Sequence, residues 1–283
     1  MEEYIVLSRT NGITRTGSPY AILHLHDGKQ CFHISVWDTP PSDGPVVGQL
    51  VSFYSMKDNL GKKSCGFADM KLGIMPTENH PLYGLLPHPV GRKEWDRTID
   101  ELLSYCTDNQ LIPIIRDFSE LLYPPYSKYP AATSVHHAYA GGLLNHTHQM
   151  LRMLCGLYPC LPYEIKVERC ILGILFHDYG KVYEYNFQGE PQQDMYLLGH
   201  IYLSAHKLHN VLEQKGIDTE ETKRIVHCVL SHHGELEFGS PVKPCTQEAA
   251  IVGYLDNISA KTDCMEHTGA LEFCPAAGTR VVK

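Results

Sequence analysis

An apolar run from Cys170 to Phe176 leads directly into the pair His177-Asp178. Such a run predicts a buried helix, and Gly180 predicts its end. A neighbouring imidazole and carboxylate at a buried helix end need a partner, because an unpaired charge in an apolar environment is costly. A divalent cation is the usual partner of these two groups in proteins. The pair alone also fits a helix C-terminus with a histidine near the dipole, so the rest of the chain has to decide between the two interpretations.

Charge and composition narrow the class of protein. The formal net charge of the 283 residues is −8 and no basic block occurs, which argues against binding of duplex nucleic acid through phosphate neutralisation. No apolar run is long enough to span a bilayer, and the acidic start Met1-Glu2-Glu3 is unlike a secretory leader, so we expect a cytoplasmic protein that does not contact membranes. The ten cysteines contain no Cys-x-x-Cys pair and are expected to be reduced thiols.

Short alternating apolar patterns predict strands in residues 1–75. They cover residues 4–7, 20–25, 31–37 and 49–54, and the turns between them include Asn11-Gly12 and Asp27-Gly28. Several short strands at this spacing fit a small closed barrel. The phrases 17–28 and 34–38 resemble the OB-fold found ahead of nucleic-acid enzymes, which implies a nucleic-acid-binding surface. Candidate residues for stacking bases are Tyr20, Phe32 and Trp37, and each also fits a role as barrel core.

The pattern changes after a proline-rich linker at residues 76–92. From Lys93 onward apolar residues recur every three or four positions, which predicts helices. The second of them is expected to stop at residues 123–126 (Tyr-Pro-Pro-Tyr), and later ones to cover about 143–157, 163–178, 197–214, 218–231 and 247–266. The predicted fold class is therefore α+β and multidomain: a small β-barrel (OB-fold) in residues 1–75, an all-α domain in residues 93–270 and a tail of residues 271–283.

Seven metal-competent side chains are distributed over successive predicted helices or helix ends: His146, His177, Asp178, His200, His232, His233 and Asp256. A helix bundle can point all of them at one centre. Without a metal, the imidazoles and carboxylates would compete there for protons. We therefore expect two divalent cations, with manganese as the first choice and cobalt, nickel, iron or magnesium as alternatives.

The spacing permits an assignment of ligands to the two cations. Asp178 is expected to bridge them through its two carboxylate oxygens. The first cation takes His146, His177 and Asp256, and the second takes His200, His232 and His233. A hydroxide between the cations, formed from a water of lowered pKa, would be the nucleophile. Lys181, three residues after Asp178, would stabilise negative charge on a phosphate.

This order of ligands is similar to that of the HD-domain phosphohydrolase superfamily in its five-histidine form. Several phrases narrow the resemblance: residues 136–147 (HHAYAGGLLNHT), 177–181 (HDYGK), 199–201 (GHI), 231–234 (SHHG), 238–241, 246–249 and 256–257. Together they resemble the YhaM-type 3′–5′ exoribonucleases, which join an OB-fold to an HD domain, and the resemblance covers most of the chain. The phrase around His136 and His137 implies that one of these two histidines contacts the substrate phosphate.

Two departures separate the chain from other HD families. Gly239-Ser240-Pro241 stands where the HD-GYP cyclic-dinucleotide phosphodiesterases have Gly-Tyr-Pro, which argues against cyclic-di-GMP as the substrate. Some relatives bind a third metal through a glutamate one turn before the first histidine. That position is Gly142 here, which predicts two metals.

Three functions remain open at this point. The leading hypothesis is a metal-dependent 3′–5′ exoribonuclease that degrades single-stranded RNA to nucleoside 5′-monophosphates, with single-stranded DNA as an open second substrate. An HD-type phosphohydrolase acting on a nucleotide or cyclic nucleotide would use the same metals. A nucleic-acid-binding module with a structural ion is the third, but such an ion needs neither an open position nor the spare ammonium of Lys181. The sequence leaves open whether the protein is a homo-oligomer.

Overall fold

The structure is a computed structural model that describes residues 2–40, 44–45, 47–59, 61–74, 76, 80–82, 85, 90–132, 136–186, 191–268, 271, 273–274 and 276–282. It separates into two compact units, residues 1–88 with 138–140, and residues 89–137 with 141–283. The first unit is a β-sheet and the second is mainly helical, which confirms the predicted fold class. Several linker positions between 76 and 92 lie outside the described residues. Among the described helices, none combines the length and apolar character needed to cross a bilayer.

The first unit is one curled sheet with seven strands in its described part, in the order β5-β6-β3-β2-β1-β4-β7. The strands are β1 (Tyr4–Ile13), β2 (Pro19–His26), β3 (Cys31–Trp37), β4 (Leu50–Phe53), β5 (Lys57–Asn59), β6 (Lys62–Gly66) and β7 (Met70–Leu72). Neighbours are antiparallel except for β3 and β6, which run parallel. The sheet forms a half-barrel with β5 and β7 as its edges, so the expected closure is not observed within the described residues. Each edge strand has only three residues, which leaves little backbone for a further pairing.

The turn predicted at Asn11-Gly12 is wrong, because β1 continues through both residues to Ile13. Gly12 pairs with Tyr20 across the sheet, and a Cβ at Gly12 would overlap the tyrosine ring. The glycine therefore makes room for an aromatic side chain. The turn predicted at Asp27-Gly28 is confirmed: the Asp27 carboxylate accepts hydrogen bonds from the backbone N–H groups of Lys29 and Gln30, and Gly28 has a φ of 96°.

The helices of the second unit are α1 (Arg92–Leu103), α2 (Leu111–Tyr126), α3 (Gly142–Leu157), α4 (Val167–Phe176), α5 (Lys181–Glu184), α6 (Gln193–Leu197), α7 (His200–Gln214), α8 (Thr219–Leu230) and α9 (Gln247–His267). Helix α4 is the central one, since every residue from Cys170 to Phe176 is buried. It packs on α2, α3, α8 and α9. At Gly173 a Cβ would meet the Cβ of Cys228, so the glycine allows α4 and α8 to approach closely. The apolar run thus delivers His177-Asp178 into the interior of the bundle.

Two helix predictions can be compared with the structure. Helix α2 includes Pro124 and Pro125 and ends at Tyr126, within the segment expected to stop it. Tyr126 is fully buried, and its hydroxyl donates a hydrogen bond to the carbonyl of Leu175 (2.7 Å), which holds this last turn against α4. The helix expected over 197–214 begins at His200, and a separate helix α6 precedes it. Gly199 lies between them with a φ of 76°, a backbone conformation that interrupts a helix.

The tail of residues 271–283 forms a short hairpin where it is described. Strand β8 (Phe273–Cys274) pairs antiparallel with β9 (Thr279–Arg280). Its buried side chains, Cys274 and Val281, pack with Cys264 of α9. The hairpin therefore has a small apolar cluster of its own at the end of α9.

Candidate metal centre

The structure brings six of the seven predicted ligands into two groups of three, and the seventh, Asp178, lies between the groups. In each group the ligand atoms lie within 4.8 Å of one another. One group is His146, His177 and Asp256, and the other is His200, His232 and His233. These are the sets that the sequence predicts for two separate cations.

Asp178 directs one carboxylate oxygen at each group. Its Oδ2 lies 3.2 Å from His177 Nε2 and 3.8 Å from His146 Nε2. Its Oδ1 lies 3.6 Å from His200 Nε2 and 3.9 Å from His232 Nε2. A carboxylate in this position can bridge two cations.

Helix ends fix the orientation of two of the imidazoles. His177 follows α4 and donates a hydrogen bond from Nδ1 to the carbonyl of Ile174 (2.7 Å). His232 lies two residues after α8 and donates from Nδ1 to the carbonyl of Val229 (2.7 Å). Both carbonyls lie in the last turn of a helix, where they lack an intrahelical donor. Each bond assigns the proton to Nδ1 and leaves the Nε2 lone pair for a cation.

A hydroxyl on α9 orients the third imidazole. The Ser259 hydroxyl donates to the amide oxygen of Gln149, so its oxygen accepts the Nδ1 proton of His146 (2.8 Å). His146 Nε2 then faces Asp256 Oδ1 at 3.1 Å and His177 Nε2 at 3.1 Å. Helix α9 thus supplies both a candidate ligand and the group that sets the tautomer of another.

Glu184 and a backbone carbonyl hold the remaining two imidazoles. Glu184 Oε1 accepts the backbone N–H of His200 and lies 3.2 Å from its Nδ1. A Cβ at Gly180 would overlap the backbone of His200, so the glycine sets how closely α5 and α7 approach. His233 donates from Nδ1 to the carbonyl of Phe238 (2.7 Å).

Unpaired polar atoms test whether this donor set fits a cation. Asp178 Oδ1, His200 Nε2 and His232 Nε2 are buried and have no hydrogen-bond partner among the described residues. Leaving such groups unsatisfied costs about 1–3 kcal/mol each, so a native protein rarely tolerates three at one point. Neutral imidazoles around a carboxylate are ligands that divalent cations accept. The residues present therefore fit two cations.

The protonation states of His232 and Asp178 favour the same interpretation. Burial lowers the pKa of His232 well below its usual value, which keeps this imidazole neutral. Burial alone would raise the pKa of Asp178, but the charge of Lys181 and the neighbouring His177 hold it well below its usual range. A neutral imidazole and an ionised carboxylate are the metal-binding forms of these two groups.

Lys181 lies at the start of α5 and places Nζ 2.8 Å from Asp178 Oδ2. Its side chain is only 9% exposed. Burial alone would lower the pKa of Lys181, but the Asp178 carboxylate outweighs burial and the pKa is raised. The centre therefore contains a fixed ammonium next to the carboxylate that faces both ligand groups.

His136 and His137 differ in their surroundings. His137 is anchored to α9, since its backbone N–H donates to Asp263 (2.7 Å) and its ring contacts Asp263 and Ser259. The His136 ring lies 5.4 Å from the His146 ring, and its buried Nδ1 has no partner in the described structure. Of the two, His136 is free to meet a ligand at the centre.

The predicted stacking residues of the β unit lie on opposite faces of the sheet. Tyr20 and Trp37 pair on the outer face with their rings 5.4 Å apart, and Trp37 is 42% exposed. Phe32 packs instead with Tyr4 on the inner, core-forming face. The alternation of side chains along β3 explains the difference, because Phe32 and Trp37 are an odd number of residues apart.

A glycine at the start of α3 bears on the number of metals. A Cβ at Gly142 would overlap the carbonyl oxygen of His137. The position therefore has no room for the glutamate through which some HD proteins bind a third metal.

Sequence reasoning missed Glu184, Ser259 and Asp263, all of which orient histidines. Helical spacing could have revealed two of them. Ser259 and Asp263 lie three and seven residues after Asp256, on the same face of a helix. Glu184 lies in a short helix after Lys181, and no comparable signal marks it.

Comparison with known proteins places the centre in a family. The HD domain family matches residues 143–261, and an HD domain implies divalent metal binding. The chain is 30% identical over 283 residues to 3'-5' exoribonuclease YhaM of Bacillus subtilis (strain 168), covering 94% of this chain and 86% of the relative. It is 29% identical over 279 residues to the protein of that name from Bacillus velezensis, covering 93% and 85% of the two chains. No solved structure matches the chain. The identity extends over both units, and the chain belongs to the YhaM family of HD-domain proteins.

Proposed function

We propose that this chain is a metal-dependent 3′–5′ exoribonuclease that releases nucleoside 5′-monophosphates from single-stranded RNA. The observation that carries the proposal is the arrangement of two ligand groups on either side of one buried carboxylate. The relatives that share both units of the chain are named 3'-5' exoribonucleases, which supports the same reaction.

We assign the two groups and Asp178 as ligands of two divalent cations. When bound, such a pair of cations activates a water as nucleophile and neutralises a phosphodiester. A mixed shell of imidazoles and carboxylates suits manganese, and cobalt, nickel, iron or magnesium are the alternatives.

Residues of the chain perform the remaining roles. The ammonium of Lys181 lies close enough to Asp178 to reach a phosphate oxygen held at the centre, and stabilises charge that develops on it. The unpaired Nδ1 of His136 supplies a further contact to the phosphate. Glu184 and Ser259 hold His200 and His146 in the tautomer that directs Nε2 inward.

We further propose that the outer face of the β unit binds the RNA strand. Tyr20 and Trp37 present adjacent rings on that face, and stacking of a base on an aromatic ring contributes about 1–3 kcal/mol. His24 and His33 lie on the same face with stacked rings 4.4 Å apart. Phe32 belongs to the core and we do not assign it to the substrate. We expect the protein to act on RNA in the cytoplasm.

The test is degradation of 5′-labelled single-stranded RNA and DNA oligomers, with manganese and with chelator. We expect a descending ladder of RNA products and nucleoside 5′-monophosphates, both abolished by chelator. Asp178→Ala should lose metal binding and turnover, whereas Asp117→Ala, an exposed control, should retain both. Full activity of Asp178→Ala would refute the assigned chemistry. Hydrolysis of mononucleotides without degradation of oligomers would instead indicate a nucleotide phosphohydrolase.

A further inference from the structure

Two cysteines in the C-terminal part of the chain lie in direct contact, and neither belongs to the metal centre's ligand set. Cys264 is in the last turns of α9 and Cys274 is in β8, and their Sγ atoms are 2.9 Å apart. Both side chains are buried and both are free thiols in the structure. A further approach of about 0.9 Å would bring the sulfurs to covalent distance.

The surroundings of the two sulfurs differ in a way that suits thiol exchange. Burial alone would raise the pKa of Cys274, but its hydrogen bond with Cys264 and hydrogen bonds with the backbone at Ala276 and Ala277 lower it. Burial and the neighbouring Cys274 raise the pKa of Cys264. The thiolate is the nucleophile in exchange, so Cys274 is suited to attack first and Cys264 to resolve the product.

The hairpin that carries Cys274 can open locally. Strands β8 and β9 contain two residues each, and an isolated two-stranded hairpin is only marginally stable. Its described apolar contacts are confined to the small cluster with Cys264 and Val281. Brief opening therefore admits a small reagent to the buried sulfurs.

We propose that Cys264 and Cys274 form a reversible thiol–disulfide site whose oxidant is a low-molecular-weight disulfide. The Cys274 thiolate attacks one sulfur of the small disulfide, which breaks the S–S bond, expels one small thiolate and leaves a mixed disulfide on Cys274. The Cys264 thiolate then attacks the Cys274 sulfur and expels the second small thiolate. One small disulfide is reduced to two thiols while two protein thiols are oxidised to one protein disulfide, so electrons and atoms balance.

The cross-link joins the tail hairpin to the helix that carries Asp256 and Ser259. Cys264 follows Asp256 by eight residues on α9, about two helical turns. In the oxidised protein the hairpin can no longer leave this end of the helix. The disulfide therefore restrains the C-terminal part of the metal-binding unit.

The test equilibrates the full-length protein in glutathione buffers from fully reduced to fully oxidised, followed by alkylation and mass spectrometry. The tryptic peptide 262–280 contains both cysteines, so oxidation should remove both alkyl groups and about 2 Da of hydrogen. Cleavage after Glu266 and Glu272 should then leave the two cysteine peptides linked. The exposed Cys160 is the internal control and should form only a mixed disulfide with glutathione.

Hydrogen exchange gives a second readout. Amides of residues 273–282 should exchange about tenfold or more slowly in the oxidised protein, and the Cys274→Ser variant should show no such change. Two results overturn the proposal: alkylation of both cysteines in the fully oxidising buffer, or separate mixed disulfides on Cys264 and Cys274. Unchanged amide hydrogen exchange after the disulfide forms would refute the proposed restraint of the hairpin.

Discussion

Replacing Ser259 with alanine tests whether the metal centre depends on a hydroxyl that does not face a cation. The Ser259 oxygen accepts the Nδ1 proton of His146 at 2.8 Å, and its own proton goes to Gln149. Both Ser259 and His146 are fully buried. In Ser259→Ala the Nδ1 proton has no acceptor at this position, so the imidazole loses the bond that fixes its tautomer and ring orientation.

The magnitude follows from the cost of one unsatisfied buried donor, about 1–3 kcal/mol. If the whole cost falls on the metal-loaded state, the affinity of the His146 group for its cation drops by about 10–100-fold, as for other groups that orient ligands. The other group contains no contact to Ser259 in the described structure and should keep its affinity. We therefore expect two-phase metal binding in which only one phase weakens.

The assay is calorimetric titration of the metal-free protein with manganese, together with the manganese dependence of RNA degradation. Turnover at saturating manganese should stay within a few-fold of the parent, while the manganese concentration for half-maximal rate rises. Thr262→Ala, which removes an exposed hydroxyl one turn further along α9, is the matched control. It should leave the manganese affinity and the manganese dependence of RNA degradation unchanged. Equal affinities of parent and Ser259→Ala for both cations would refute the reasoning.

Three further predictions concern Lys181, Trp37 and Glu221, whose carboxylate lies 2.6 Å from Arg169 Nη2 and 3.1 Å from Lys166 Nζ. Lys181→Gln should lower the turnover number for RNA about 100-fold while calorimetry shows both cations still bound, because it removes a charge and no assigned ligand. Trp37→Ala should raise the KM for long RNA about 5–100-fold and leave hydrolysis of bis(p-nitrophenyl) phosphate unchanged, since the side chain is 42% exposed and lies on the sheet's outer face. Burial alone would raise the pKa of Glu221, but Arg169 and Lys166 lower it, so this carboxylate stabilises the fold above its unfolded pKa of about 4.3 and the contribution is lost as pH falls through the folded pKa. Glu221→Gln should therefore lower the free energy of unfolding in urea by about 1 kcal/mol at pH 7, and the difference from the parent should shrink below about pH 4.

The central helix could be predicted from sequence because it depends on local order. The apolar run from Cys170 to Phe176 leads to His177-Asp178 whatever surrounds it, and burial of that run places the pair in the interior. The separation of the other candidate ligands into two groups joins residues of different helices, and it was predicted from their order along the chain.

Other features depend on contacts between distant segments, and no local pattern in the sequence predicts them. Asn11-Gly12 has the composition of a turn, but the ring of Tyr20 lies over the glycine and β1 stays extended. Pro124 and Pro125 lie in a helix because the buried Tyr126 fixes the last turn against α4. The role of Glu184 depends on the approach of α5 to α7, which no local pattern encodes.

The hydrogen bonds from His177 to Ile174 and from His232 to Val229 cap the ends of two helices and orient two imidazoles at once. Removing a cation does not break either bond, because neither involves Nε2. The rings consequently stay in place when the centre is empty, and reloading requires no rearrangement of the backbone. Metal exchange in this protein should therefore be limited by access of the ion and loss of its water shell, and an apoprotein prepared with chelator should regain its metal without refolding.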